Sequence, residues 1–542
     1  MAKHFVNLDA LIPREDFEAS PNKFEQAELA GTLKIVELEN DSILFKLLRK
    51  PDFQRTTAHW EPEKVTGFIK SFLAGDLIPA IIMWRSTVNG NIFVIDGAHR
   101  LSALLAWVHD DYGDKQISIP FFENFIPVEQ TKAAEETRKL VRETTGSYSE
   151  IKYAMKNPSG IIGEKALYAS NLGTLGIKLQ WVPGDASRAE KSFHTINTQQ
   201  TPIGEIEMRM IRDRRCPNTL ATRSLIRAGT GNTYVSTFPN ANKEQIKTFS
   251  KEVYDDIFVP PLDTPIKTLD LPVAGRGYSS DAIKMILDFV EFVNKPETED
   301  PLKTSKRSSK PDILIPTMEE DRDGSATIDF LKNVRRVSSL IAGTQPKSLG
   351  LHPAVYFYSA TGIYQPAAFL AAVKFAQEIE STDKLILFTD NRKNFEEILI
   401  NYKHLINHIV RKFGGGHRSL NAIYKLYRHI FDGVIKNISE DKILPGLADE
   451  EQLAFLKNII DDNKNRPEFS SERKSAVYLR TALKDAPQCA ICHARVHKKS
   501  ITIDHIKPKS EGGRGDEDNG QLTHPYCNTG YKEAKRALES KH

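Results

Sequence analysis

The sequence predicts an α+β protein of several domains: an α/β domain at the N-terminal end, a largely helical middle region and a small cysteine-bearing module at the C-terminal end. Three observations predict it. At 542 residues the chain is too long for one core, and two to four domains are expected. A helix–hairpin–helix pattern stands near the start. Three of the four cysteines gather in the last stretch.

The elements follow in order. "EPEKVTGFIKSFLAGD" reads as a helix, with Pro62 in its first turn and Gly75 at its stop. Val65, Phe68, Ile69, Phe72 and Leu73 fall on one face. "AIIMW" and "IFVID" are strand-like runs joined by the hairpin signal "VNGN". The chain then turns at Asp96–Gly97 into the helical "AHRLSALLAWV". Further helix is expected around residues 189–211 and again from about 325 to 460, where Leu420, Ile423, Tyr427 and Ile430 form a core stripe. Residues 295–312 are rich in Lys, Ser, Thr and Pro and read as a linker; a second polar stretch, 461–475, leads to the cysteines. The expected domains are therefore 1–215, 216–464 and 465–542.

Composition excludes several classes. With 40% hydrophobic and 27% charged residues there is no global sign of disorder. A net charge of +3 rules out a polycation, so any nucleic-acid site must be a local patch. No run of about 18 apolar residues occurs, and no membrane partner is expected. Four cysteines do not make a disulfide scaffold, and a reducing, cytoplasmic setting is expected. Cys216, remote from the others, reads as a small buried residue.

Cys489-x-x-Cys492 is one half of a knuckle, and His524-x-x-Cys527 supplies a matching pair. A redox pair, a structural metal site and the frame of an active site are the alternatives. Four such ligands can close a tetrahedral zinc site, and no βαβ context favours a redox pair. Between the pairs lies "SITIDHIKPKSEGG", a strand running into Asp504–His505 and then an extended loop. This succession, with Asn519 and Asn528, resembles the HNH (ββα-metal) endonucleases over about residues 485–535. The resemblance implies a general base at His505, a Mg²⁺- or Mn²⁺-type ion held by Asp504 and Asn528, and a loop-bracing Asn519. Ten Lys and Arg against seven Asp and Glu from Cys489 onward make a modest surplus, with Lys498, Lys499, Lys507, Lys509 and Arg514 as candidate phosphate contacts. Lys532 stands four residues after Asn528 rather than the three common in the family, which leaves its phosphate role in doubt.

"FVIDGAHRLSALLAW" puts His99 and Arg100 at a helix start, where free N–H groups favour anions and Gly97 permits close approach. Together with "DFQRTTAHW" and "SFHTINTQQTPIGEIEM" it resembles the ParB/sulfiredoxin-like nucleotidase domains of GmrS-type and SspE-type restriction proteins, over roughly residues 40–215. The resemblance implies a nucleotide site at Gln54, Arg55, Asp96, Gly97, His99, Arg100 and Asn197, with Ala98 in place of the usual Gln. There is no Walker A sequence, so a nucleoside triphosphate would be held without a P-loop. A second Gly-x-His-Arg stands at Gly415–Arg418 before another helix, and reads as a hinge with a solvated Arg.

Together these imply a zinc-framed, Mg²⁺- or Mn²⁺-dependent DNA endonuclease gated by an N-terminal NTP-binding domain, acting on phage or modified foreign DNA. A second copy of the chain or a partner protein of a defence system is compatible with this. The alternatives are an NTP-responsive DNA-binding clamp with an inert zinc module, and an RNA-directed nuclease.

Overall fold

The computed structural model describes residues 5–15, 17, 30–51, 54, 60–86, 89–122, 126–157, 163–200, 205–228, 238–260, 262, 269–277, 280–294, 317–457 and 471–539. The 295–312 segment and Arg55 lie outside them. The chain divides into two compact units, one chiefly Met1–Leu220 and the other chiefly Thr327–His542.

The first unit is built on a mixed sheet of six strands. They are β1 (Arg14–Glu15), β2 (Thr32–Lys34), β3 (Leu48–Pro51), β4 (Ile81–Arg85), β5 (Ile92–Asp96) and β6 (Gly176–Trp181), in the order β1-β3-β5-β4-β6-β2. β4 and β5 form the expected antiparallel hairpin, with Met83 opposite Val94 and Trp84 opposite Phe93. β3 runs parallel to β5 on its other side. The near-continuous apolar run of β5 is explained by burial on both faces. Ile92 and Val94 join Val65, Ile69, Leu101 and Leu104 in one core. Phe93 and Ile95 face a second, with Phe17, Trp84 and Phe193.

The helix Pro62–Ala74 begins on its proline and ends on Gly75, whose φ of 82° is the left-handed stop. The helix Ala98–His109 starts straight after β5 through Gly97, at φ 93°. There a Cβ would meet Arg100 Nη2 at 2.9 Å and Ile81 Cγ1 at 3.0 Å, so the turn needs glycine.

The second unit is mainly helical. Helices Pro366–Ser381, Leu385–Asn401 and His417–Ile435 enclose an aromatic cluster of Phe375, Phe388, Phe395, Tyr427 and Phe431. The expected stripe of Leu420, Ile423, Tyr427 and Ile430 is buried there. Its C-terminal end carries the hairpin β7 (Thr502–His505) and β8 (Gly520–Thr523), followed by the helix Lys532–Glu539, which is a ββα succession. Two local expectations are corrected. The polar stretch 461–475 already contains the start of the helix Ser471–Lys484, which Leu479 and Leu483, one turn apart and buried, anchor; 461–470 lie outside the described residues. The loop after His505 is not extended throughout: Lys509–Glu511 wind into a 3₁₀ turn closed by Gly512.

Candidate functional site

The knuckle forms because Cys489 and its neighbours turn back on themselves. Cys489 N donates to Ala494 O at 2.8 Å and His493 N to Cys489 O at 2.9 Å, with His493 in the left-handed region. This brings Cys489 and Cys492 opposite His524 and Cys527. All four are buried, and their ligand atoms lie within 4.8 Å of one another. His524 Nδ1 is 3.4 Å from Cys492 Sγ and 3.8 Å from Cys527 Sγ. Zn–S and Zn–N bonds of about 2.3 and 2.0 Å give tetrahedral edges of about 3.5 Å. The second ring nitrogen, Nε2, meets Arg495 O at 3.0 Å, which turns the Nδ1 lone pair toward the thiols. Cys492 and Cys527 donate S–H to Cys489 and hold its thiol well below the usual range, while the contact to Cys489 pushes Cys492 up to about 12. Zinc takes each Cys as a thiolate, and three such sulfurs with one imidazole nitrogen at these separations fit a zinc ion.

The helical part of the same unit braces this knuckle. Arg392 is fully buried; burial works against its charge, but Glu396, Tyr356, Cys492 and Cys527 together outweigh that and raise its pKa. Its Nε donates to Glu396 Oε1 at 2.7 Å, and its other nitrogens to Leu349 O at 2.5 Å and Gly350 O at 3.2 Å. Glu396 Oε2 accepts from Arg495 N at 3.1 Å, and Arg495 O meets the ligand His524. Gly350, at φ 54°, lies so close that a Cβ would reach His524 Cδ2 at 3.1 Å.

Between the ligand pairs, β7 carries Asp504 and His505 opposite Gln521 and Gly520 of β8. Asp504 is 6% exposed. It accepts from Gln521 Nε2 at 2.7 Å, and Lys532 Nζ lies 2.5 Å from each of its oxygens. His505 is half-buried, and its Nε2 has no partner among the described residues. Asn528 Nδ2 reaches Thr502 Oγ1 at 3.4 Å. Thr502 and Asp504, two apart on a strand, share a face, so Asn528 and Asp504 come to the same face of β7. Asn519 ties the loop: its Oδ1 accepts from Lys507 N at 2.7 Å, and its Nδ2 donates to Arg514 O at 2.6 Å and Lys507 O at 3.2 Å. Of the five candidate phosphate contacts, Lys498, Lys507, Lys509 and Arg514 are exposed. Lys498 is paired with Asp270 at 3.7 Å. Lys499 is largely buried near Asp256 and Asp255, and its pKa is lowered by that burial.

In the first unit, Asp96 is the last residue of β5 and Gln54 comes after the end of the adjacent parallel strand β3, the usual mouth of a ligand crevice. Gln54 is buried and its Nε2 donates to Ile95 O at 3.3 Å, while its Oε1 has no partner among the described residues. Arg100 Nη2 pairs with Asp96 Oδ2 at 2.8 Å and also reaches Ala80 O. The His99 ring stacks on Trp60 at 5.6 Å. The structure thus brings Gln54, Asp96, Gly97, His99 and Arg100 to one end of the sheet; Asn197 lies on the helix Ala186–Gln200.

The amino-acid sequence also matches known families. Residues 34–211 match the N-terminal domain of the GmrSD restriction endonuclease, and residues 489–533 match the HNH endonuclease. The chain joins a GmrSD-type N-terminal domain to an HNH endonuclease domain. No curated protein and no solved structure matches it. The pair marks a nuclease of restriction type, and the HNH endonuclease domain implies DNA binding. No helix among the described residues is long and apolar enough to cross a membrane.

Sequence reasoning passed over three features of these two domains. In the HNH domain it missed that Lys532 and Gln521 grip Asp504, and that Arg392 and Glu396, about a hundred residues upstream of Arg495, brace His524 through Arg495. In the GmrSD-type domain it missed a buried cluster under the Gln54 turn: Asp9 pairs with Arg14 at 2.8 Å and Lys50 at 2.7 Å, and Arg14 Nη1 donates to Gln54 O at 2.7 Å. No sequence signal marks it: Lys50 stands beside Arg49 and Asp52 in "LLRKPDF" and reads as a solvated cation. The second Gly-x-His-Arg is half engaged: His417 Nε2 lies 3.0 Å from Asp288 Oδ1, and Arg418 is exposed.

Proposed function

We propose that the chain is a metal-dependent DNA endonuclease in which His505 is the general base and the GmrSD-type domain gates cleavage in response to an NTP. The target is phage or modified foreign DNA, met in the cytoplasm. The observation that carries this reading is the unpartnered His505 Nε2 at the end of β7, the strand whose Asp504 lies on the face that Asn528 reaches. No protein donor engages this shielded nitrogen, so its lone pair is open to the proton of a water brought in with the ion and the substrate. Asp504 and Asn528 offer hard oxygens on one face of β7 and would hold Mg²⁺ or Mn²⁺. Such an ion supplies Lewis acidity at the scissile phosphate and charge stabilisation for the leaving oxygen. Asn519 keeps the following loop in one conformation, so His505 meets the strand at a fixed place.

Gln54, Asp96, His99 and Arg100 are the proposed nucleotide contacts, with Arg55 and Asn197 as further members from the sequence. The Arg100–Asp96 pair would open for a phosphate to take the guanidinium. Gating has a physical rationale: a weakly basic nuclease stays idle until a sensing domain raises its local concentration on DNA or releases it.

The test is cleavage of modified and unmodified phage DNA, with and without each NTP, by the zinc-loaded full chain. His505→Ala should lower divalent-dependent cleavage by about 10²–10⁴-fold while zinc content and DNA binding stay as in the parent. Unchanged cleavage in that variant would remove the base. DNA binding without cleavage in the parent would favour the clamp, and a preference for RNA the third alternative.

A further inference from the structure

Lys532 opens a question that the nuclease reading leaves unanswered. Asp504 is nearly buried, and an ammonium lies 2.5 Å from each of its oxygens. A buried carboxylate needs a counter-charge or a set of hydrogen-bond donors. Gln521 Nε2 supplies one donor at 2.7 Å; Lys532 supplies the charge.

The chain places this lysine by a specific local device. Cys527–Tyr531 winds as a single π-helical turn and runs directly into the helix Lys532–Glu539. Asn528 and Lys532 are thereby stacked along one side, and both reach β7: Asn528 at Thr502 and Lys532 at Asp504. The start of that helix is anchored separately. Tyr531 donates its hydroxyl to Asp390, and Lys535 Nζ lies 3.2 Å from the same carboxylate. The Lys532 side chain is 31% exposed, so its ammonium can leave toward solvent while the helix stays docked.

We propose that Lys532 is a built-in counter-ion of the nuclease cation site. In the resting module it sits on the oxygens of Asp504 that the divalent ion needs, and it must be displaced when that ion binds. This rests on the nuclease reading above. The ammonium on both oxygens and the Gln521 amide on one crowd this carboxylate, and the ammonium repels a divalent ion brought to it. Binding of the ion is therefore a competition, and Lys532 sets how much free Mg²⁺ or Mn²⁺ the module requires. The device also keeps Asp504 compensated when the ion is away, so the hairpin does not pay for an isolated buried charge.

The experiment is a Mn²⁺ titration of the zinc-loaded full chain, followed by electron paramagnetic resonance of free Mn²⁺, on the parent, Lys532→Met and Lys532→Arg. Zinc content and circular dichroism check each variant. Losing the competing charge should tighten Mn²⁺ binding by about tenfold in Lys532→Met, whereas Lys532→Arg should stay within about twofold of the parent. A second measurement needs no variant: reductive methylation of the parent, read by mass spectrometry, should modify Lys532 faster once Mn²⁺ is saturating. Mn²⁺ affinity in Lys532→Met equal to or weaker than the parent's overturns the proposal. If that variant does not fold, unchanged labelling of Lys532 on adding Mn²⁺ overturns it instead. Asp504→Ala separates the two levels. Mn²⁺ binding that ignores Asp504 sinks the cation assignment and this proposal with it; binding that needs Asp504 but ignores Lys532 sinks the counter-ion alone.

Discussion

The two constellations place a carboxylate beside a cation, Asp96 with Arg100 and Asp504 with Lys532, but they are framed by different forces. Asp96 and Gln54 stand at strand ends whose sheet is covered on both faces by apolar side chains. That frame draws on burial and needs nothing from solution. Asp504 and His505 stand on a two-stranded hairpin whose own buried cluster is Cys489, Cys492, Ala494, Val496 and Cys527. A segment of that size cannot hold itself by a core alone. Bonds from the four buried donors to a zinc ion would replace the missing apolar area, together with the Arg392–Glu396 brace. The GmrSD-type site should therefore tolerate metal loss, and the HNH site should not.

The strongest way to break this comparison is to remove the zinc. Structural zinc sites contribute on the order of 10–16 kcal/mol of apparent binding energy to folding. After a strong chelator, residues 489–539 should lose hydrogen-exchange protection and cleavage should fall to background. Protection of β3, β4 and β5 should be unchanged. Equal loss in both units would show that the frames are not independent in kind.

A smaller effect is expected from the brace. Glu396→Gln leaves Arg392 buried without its counter-charge and weakens the bond to Arg495 N. Breaking such a pair costs about 3–5 kcal/mol. Calorimetry should show this loss in the transition of the second unit alone, with faster zinc release to a chromogenic chelator. A variant that melts like the parent and keeps its zinc would reduce the helical unit to a passive neighbour.

How much of this was legible in the sequence differs between the two sites for the same physical reason. Local signals carried the β4–β5 hairpin, the Gly97 turn, the helix Pro62–Ala74 and the four ligands, because turns, caps and ligand spacing are written in neighbouring residues. The extended loop after His505 was misread because a Pro and two glycines suggested an open chain, while the short 3₁₀ turn between them has no sequence mark. Arg392 was invisible. On the helix Leu385–Asn401 it reads as an ordinary exposed cation, and its burial follows from packing against carbonyls forty residues away. Lys532 was noticed only through its spacing from Asn528; its partner Asp504 follows from the π-helical turn, which spacing does not show.

The smallest expected effect sharpens the comparison through acid. His497 is 3% exposed, its Nε2 has no partner among the described residues, and burial pushes it down to about 4. The groups around it are the His352 ring at 5.6 Å, Asp270, which pulls its pKa up, and Lys499, which pushes it down. In the unfolded chain an imidazole titrates near 6.5. Above that pH neither state holds the proton, and below about 4 both do. Between the two only the unfolded chain is protonated, so stability falls as the pH falls, by at most about 3 kcal/mol from this group. Burial lowers His352, His404 and His408 of the second unit in the same direction, against His109 in the first. Between pH 6.5 and 4 the second unit should therefore lose more stability than the first, and His497→Gln should flatten part of that slope. Segment-resolved hydrogen exchange at the two ends of the window measures both units in one sample. An equal loss in the two, or a slope untouched by His497→Gln, would mean that buried imidazoles do not set the acid sensitivity of the nuclease end.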